Sequence, residues 1–202
     1  GHNITFGSTI DSDGTARNLT FNTGSGTVSV TGNVGSGAAL GTITLTQTGG
    51  TTFSGTLDAA TVTLTDTADD ADITFAGSAT ITTLNTAEQP YNVVFNGAAN
   101  TINDAVTFAN TGTVTLGNGA SDVTTFTAGV TATDPSTVYV AGTIKAAGTA
   151  VITLGDADTG VSVTATSTIG DNSTGTITLG DVTLADAVTL TIGKNGVANT
   201  QN

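Results

Sequence analysis

The chain has no cysteine, methionine or tryptophan, two prolines, a single histidine, and three Lys or Arg residues against 16 Asp or Glu. Each absence removes a class of function. Without cysteine there is no disulfide framework, no thiolate nucleophile and no Cys-ligated metal. The lone histidine is His2, beside the first residue, so triads and acid–base pairs built on imidazole have no centre. Arg17, Lys145 and Lys194 are too few and too scattered to neutralise phosphates, so nucleic acid is not expected as a partner, nor is an anionic membrane surface. No apolar run approaches the ~20 residues of a spanning helix, so membrane insertion is not expected. The absence of a signal stretch reads as a mature or excised segment.

Large side chains are also scarce, with aromatics at 4 %. A core built without them must be thin. Thin cores belong to repeat architectures, in which each layer is buried by its neighbours and the surface-to-volume limit on a single core does not apply. Thr makes up roughly a quarter of the residues, Gly contributes 27, and the formal net charge is -13. Disorder is not the expected account of this composition, because Val, Ile, Leu and Phe recur in alternating pairs. All the acids except Glu88 are Asp, which with Gly prefers turns, so the charge is expected at strand junctions.

What the chain does contain is one short strand written many times. Gly175 to Gly180 reads G-T-I-T-L-G, with close copies at Gly41 to Thr46, Gly112 to Gly117 and Ala150 to Gly155. Each places two apolar residues on one face and Thr on the other. From Val93 onward three apolar columns align. The first holds Val93/Phe95, Val114/Leu116, Val138/Val140 and Val161/Val163. The second holds Ile102, Val123 or Phe126, Ile144 and Ile169. The third holds Val106/Phe108, Val130, Ile152/Leu154 and Ile177/Leu179. Earlier pairs include Phe53 with Leu57, and a late group is Val188 with Leu190 and Ile192. The expected fold is all-β: a single-stranded parallel β-helix, or β-solenoid, with about three short strands per ~22-residue coil. It is expected to run as one domain over residues 1–202, with open strand edges and no capping helix at either end. An antiparallel sandwich also has short strands and regular turns, but like residues recurring in register favour the coil.

The G-T-[IV]-T-L-G units at Gly112 and Gly175, the N-L-T-F at Asn18 and the Thr/Gly/Asp-rich spacers resemble the β-strand repeats of large bacterial surface proteins, the filamentous-haemagglutinin-like and autotransporter-passenger group. The resemblance covers essentially the whole chain. It implies a secreted right-handed β-solenoid serving as an adhesin, stalk or surface fibre at the bacterial cell surface, without an active site to carry over.

Two residue patterns are candidate ligand sites. Thr-x-Thr runs at Thr42, Thr44 and Thr46 (continuing to Thr48), at Thr61, Thr63 and Thr65 (continuing to Thr67), and at Thr111, Thr113 and Thr115 each place hydroxyls on one strand face. Flat hydroxyl arrays of this kind could order water as an ice-binding surface or contact surface glycans; alternatively, Thr simply suits an exposed strand. Acidic turns at Asp11 and Asp13, at Asp69, Asp70 and Asp72, and at Asp156 and Asp158 offer oxygen ligands to calcium, the one cofactor the residues leave open, though none matches a complete calcium-loop motif. Polysaccharide cleavage would need Lys or Arg beside such an acidic cluster, and none lies near in sequence, so an enzyme is not expected. The bare edges suggest self-association, end to end through the terminal strands.

Overall fold

The computed structural model describes residues 1–193. Every regular element among them is a strand and every ladder is parallel. The early coils comprise β1 (Ile4–Phe6), β2 (Leu19–Asn22), β3 (Val28–Val30), β4 (Leu40–Gln47), β5 (Thr51–Phe53), β6 (Leu57–Leu64), β7 (Asp72–Phe75) and β8 (Ala79–Thr86). The middle coils comprise β9 (Asn92–Phe95), β10 (Ala99–Ile102), β11 (Val106–Thr107), β12 (Thr113–Leu116), β13 (Val123–Phe126) and β14 (Val130–Ala132). The chain continues through β15 (Thr137–Ala146), β16 (Ile152–Leu154), β17 (Gly160–Gly170), β18 (Ile177–Leu179), β19 (Val182–Leu184) and β20 (Leu190–Ile192).

Each strand pairs with its equivalent one coil away, so the molecule is a β-solenoid. On the first face β1, β3, β5, β7, β9 and β12, then the first halves of β15 and β17, then β19 stack in register. One inward column runs Ile4, Val28, Thr51, Ile73, Val93, Val114, Val138, Val161, Val182, and the second runs from Phe6 to Leu184. Steps range from 20 residues (Ile73 to Val93) to 24 (Ile4 to Val28), giving about eight coils of ~22 residues. At ~4.8 Å per rung the stack is on the order of 40 Å long.

Alternation decides what is buried. In β12, Val114 and Leu116 point inward and are fully buried while Thr113 and Thr115 stay partly exposed. The inward columns make one continuous core, narrow enough that identical side chains meet across rungs. Phe53, Phe75 and Phe95 stack face to face, with centroids 5.5 Å and 4.7 Å apart and planes within 12° and 9°. Each buried apolar side chain contributes roughly 1.5–3 kcal/mol. Corners between the first and second faces are tight. An ideal Cβ on Gly77 would fall on the backbone of Gly55, and one on Gly97 on the backbone of Gly77, so this corner column admits only glycine.

The third face is carried by β2, β4 and the later parts of β6 and β8, and then by the separate sheet β11, β14, β16 and β18. The changeover lies between β8 and β11, where the Thr86 hydroxyl donates to Thr107 O (3.3 Å) and accepts from Ala109 N (2.8 Å). Side-chain bonds there replace a run of backbone ladder.

The second face departs from the sequence expectation at one step. Ile102 stacks on Phe126 and Ile144 on Ile169 as expected, but between these pairs Phe126 stacks on Ala146 and Ile144 lies opposite Thr124. The cause is corner length: Gly117 to Asp122 separate β12 from β13, while the equivalent corner inside β15 is only Ala141-Gly142. The longer corner is closed by Asp122, whose Oδ2 accepts from the backbone N–H of Asn118 (2.8 Å) and Gly119 (2.9 Å). Val123 consequently points outward, and the inward neighbour of Ile144 is the buried Thr124, whose Oγ1 accepts from Asn100 Nδ2 (3.5 Å). Two smaller groupings also change. Phe53 ends β5 and Leu57 opens β6, so they do not share a strand, and Val188 lies in the turn before β20.

Candidate functional site

The predicted Thr rows do not form one surface. Thr42 and Thr61 stack in register on the third face, with Thr83 next. Beside them Thr20, Thr44, Thr63 and Asn85 form a second outward column. In-strand neighbours two residues apart are separated by ~6.6 Å and rungs by ~4.8 Å, so β4 and β6 present a regular hydroxyl patch two columns wide, extended by Thr83 in one column and by Thr20 in the other. It ends at β8, where Thr83 Oγ1 donates to Asp104 Oδ2 (2.5 Å). Thr46 and Thr65 follow at or just past the strand ends, Thr46 half-buried and Thr65 exposed. Thr48 and Thr67 leave the row altogether: both are buried, and their hydroxyls bond to each other at 3.0 Å, with Thr48 also bonding Thr51 at 3.1 Å. Thr113 and Thr115 lie on the first face, and Thr111 sits in the bend before β12. Thr113 Oγ1 is spent on Asn92 Oδ1 (3.0 Å), whose own Nδ2 donates to Asp72 Oδ1 (3.0 Å).

The acidic turns remain in three separate corners, and no group of three or more His, Cys, Asp or Glu among the described residues is arranged to hold a metal ion. Several of their oxygens are taken by local backbone or side-chain donors. Asp11 Oδ1 accepts from Gly37 N (2.9 Å), and Asp156 Oδ1 from the backbone N–H of Asp158 (2.9 Å) and Thr159 (3.0 Å). Asp13 pairs with Arg17, Oδ2 to Nη2 at 2.6 Å and Oδ1 to Nε at 2.9 Å, and the guanidinium holds its exposed carboxyl below the usual range. Asp70 occupies a left-handed turn position, its N–H on Pro90 O (2.9 Å) and its C=O on Asn92 Nδ2 (2.8 Å). Arg17–Asp13 is the only ion pair among the described residues, so Asp69, Asp70 and Asp72 have no Lys or Arg partner there. Lys145 stands outward between Thr125 and Gly170. Lys194 lies outside the described residues.

Three depressions mark the surface of the described residues. One depression of about 250 Å³ lies over the corner at Gly24, Gln47, Asp66 and Asp69. A second, about 330 Å³, opens on the third face between Thr107, Gly129 and Val151. A third, about 330 Å³, lies on the first face beside Tyr139. Sequence reasoning passed over Tyr139, although the alternation in T-V-Y-V places it outward between two buried valines. It also passed over Tyr91, whose ring is buried and whose hydroxyl accepts from Ala87 N (2.9 Å) and lies 3.0 Å from Leu64 O and 3.2 Å from Ala87 O as donor. Burial pushes the Tyr91 phenol up to about 12, with the charge of Asp66 adding to the shift and the bond to Ala87 opposing it.

No family model, curated protein or solved structure matches the chain.

Proposed function

We propose that the chain is an extracellular, non-enzymatic structural protein: a β-solenoid segment or subunit of a bacterial cell-surface adhesin or fibre that stacks end to end. The observation that carries this reading is the last described rung. Val182, Leu184 and Ile192 are 40 %, 48 % and 39 % exposed, whereas Val161, Val163 and Ile169, in the same columns one rung below, are exposed by 1 % or less. A further rung of the same pattern laid over β19 and β20, whether from continuing chain or from a second copy, would bury these side chains and engage the outer N–H and C=O groups of that rung. A second copy offers such a rung in β1, where Ile4 and Phe6 point inward, half-buried, and Thr5 points outward. Joining β1 to β19 is β-augmentation between copies, in which the ladder supplies the bonding and the apolar columns fix the phase. The mechanism is mechanical: ladder hydrogen bonds and a narrow Val/Ile/Leu/Phe core give a stiff rod, and the Thr/Asp surface keeps it hydrated.

Negative-stain electron microscopy of the purified chain, with and without calcium, tests the reading. Filaments of uniform width, far longer than one rod, are expected. Isolated rods on the order of 40 Å at every concentration would overturn the stacking. Filaments that appear only with calcium would give the acidic corners a role in the joint.

A further inference from the structure

We propose that the depression beside Tyr139 on the first face is a binding site for a neutral sugar ring. Tyr139 is the one aromatic residue at an outward strand position among the described residues. Its column is otherwise Thr5, Ser29, Thr52, Thr74, Val94, Thr115, Ser162 and Thr183, and the remaining Tyr and Phe rings point into the core. The depression next to it is about 330 Å³ and is lined by Thr137, Tyr139, Gly160, Val161, Ser162 and Thr183.

Gly160 makes the space. It pairs with Thr137, whose own rung neighbour is Thr113, so it stands where two successive rungs carry a threonine. Neither backbone nor packing demands glycine there. Gly160 is not among the glycines with positive φ, and an ideal Cβ would meet nothing closer than Asp181 O at 3.7 Å, in contrast to the corner glycines. The missing side chain leaves the floor open beside the ring.

The lining fits a saccharide. A pyranose ring has an apolar C–H face, which packs on an aromatic ring, and an edge of hydroxyls. The hydroxyls of Tyr139, Ser162 and Thr183 can each donate and accept, and among the described residues none is committed to a protein partner. Thr137 Oγ1 donates to Ser136 O (2.7 Å), leaving its lone pairs to accept. No charged side chain lines the depression, in a chain with 16 Asp and Glu, so the ligand class is neutral and acidic sugars are disfavoured. The volume is at the low end of ligand sites and holds one ring, with further residues of a glycan lying along the open face. Affinity for a single ring is accordingly weak, on the order of millimolar. The proposal rests on the adhesin reading for its biological sense and gives it a ligand class; it does not depend on stacking, which microscopy reports separately.

The test is a ¹H–¹⁵N NMR titration of the full chain with methyl glycosides of glucose, galactose and mannose, and with glucuronic acid. The expected result is saturable shifts confined to residues 137–139, 160–162 and 183 with at least one neutral glycoside, and at least tenfold weaker binding in both Tyr139→Thr and Gly160→Val. Tyr139→Thr restores the column's usual residue, and Gly160→Val fills the depression without a backbone clash, so both are expected to unfold at the wild-type temperature. No shifts at about 100 mM of any neutral glycoside, equal binding of glucuronic acid, or wild-type binding in both variants would each overturn the proposal.

Discussion

Tyr91 shows how a single side chain ties pH to stability in a core this thin. Its phenol is buried at the corner after β8 and has a raised pKa of about 12, against an ordinary value near 10. A raised pKa on an acid means that the fold prefers the neutral form. The stabilisation is therefore complete below pH 10 and is lost as the pH rises from 10 towards 12, where the unfolded chain releases its proton first. At ~1.4 kcal/mol per pH unit, the loss across that window is roughly 2–3 kcal/mol. Tyr91→Phe should be destabilised by ~0.5–1.5 kcal/mol at neutral pH, because the phenol's bonds to Ala87 and Leu64 are lost while the Ala87 N–H keeps the Leu64 carbonyl (2.9 Å). It should also lose this alkaline slope. Urea unfolding at pH 8, 10 and 11.5 checks both; an equally steep fall in the phenylalanine variant would assign the alkaline sensitivity to other groups.

The face-to-face rings of β5, β7 and β9 make the first face uneven along the stack. Phe75 is fully buried between Phe53 and Phe95, so Phe75→Ala removes a ring with partners on both sides and leaves a void that a narrow stack cannot close from the side. Its expected cost is ~3–5 kcal/mol. Phe6 in β1 is half-buried and meets one ring, Phe21, edge-on at 6.0 Å, so Phe6→Ala should cost only roughly 1–2 kcal/mol. Denaturant midpoints of the two variants provide the comparison, and equal losses would show that the ring column does not concentrate stability in the middle rungs. The element scale is also where the sequence was most and least legible. First- and third-face columns could be read directly, because two apolar residues spaced two apart fix both the strand and its phase. The second face could be read only in part, because its register depends on how many residues each corner consumes. With Gly117 to Asp122 in one coil and Ala141-Gly142 in the next, Thr124 turns inward and Val123 outward, against their polarity. The same reasoning explains Thr48 and Thr67: they continue the alternation of Thr42 to Thr46 and Thr61 to Thr65 in sequence, but the chain bends there and two hydroxyls satisfy each other inside the corner. The Tyr139 depression needed the stack itself, since a missing side chain at Gly160 matters only once Thr137 and Tyr139 are known to lie on the adjacent rung.

At the scale of the whole molecule, a formal net charge of -13 would oppose the proposed end-to-end joint. Bringing two such rods together brings two molecules of like net charge into contact, and at low ionic strength that repulsion is felt over ~10 Å or more. The sequence pI is about 4.1, so lowering the pH towards that value removes the repulsion while leaving Val182, Leu184 and Ile192 as apolar as before. Stacking should therefore strengthen between pH 7 and pH 4.5, and added salt at pH 7 should reproduce part of the effect. Charge neutralisation also promotes nonspecific association, so the joint itself must be varied. Replacing Val182→Lys and Leu184→Lys together changes two side chains that are already 40 % and 48 % exposed, so the rod should still fold, but a second copy could cover them only by burying two charges. Light scattering and microscopy across the pH range should then show acid- and salt-promoted filaments of constant width for the natural chain, and single rods for the double variant. Filaments of the same width from both proteins would place the joint somewhere other than β19, and amorphous aggregate from both would mean that acid acts on the surface at large and not on the ends of the stack.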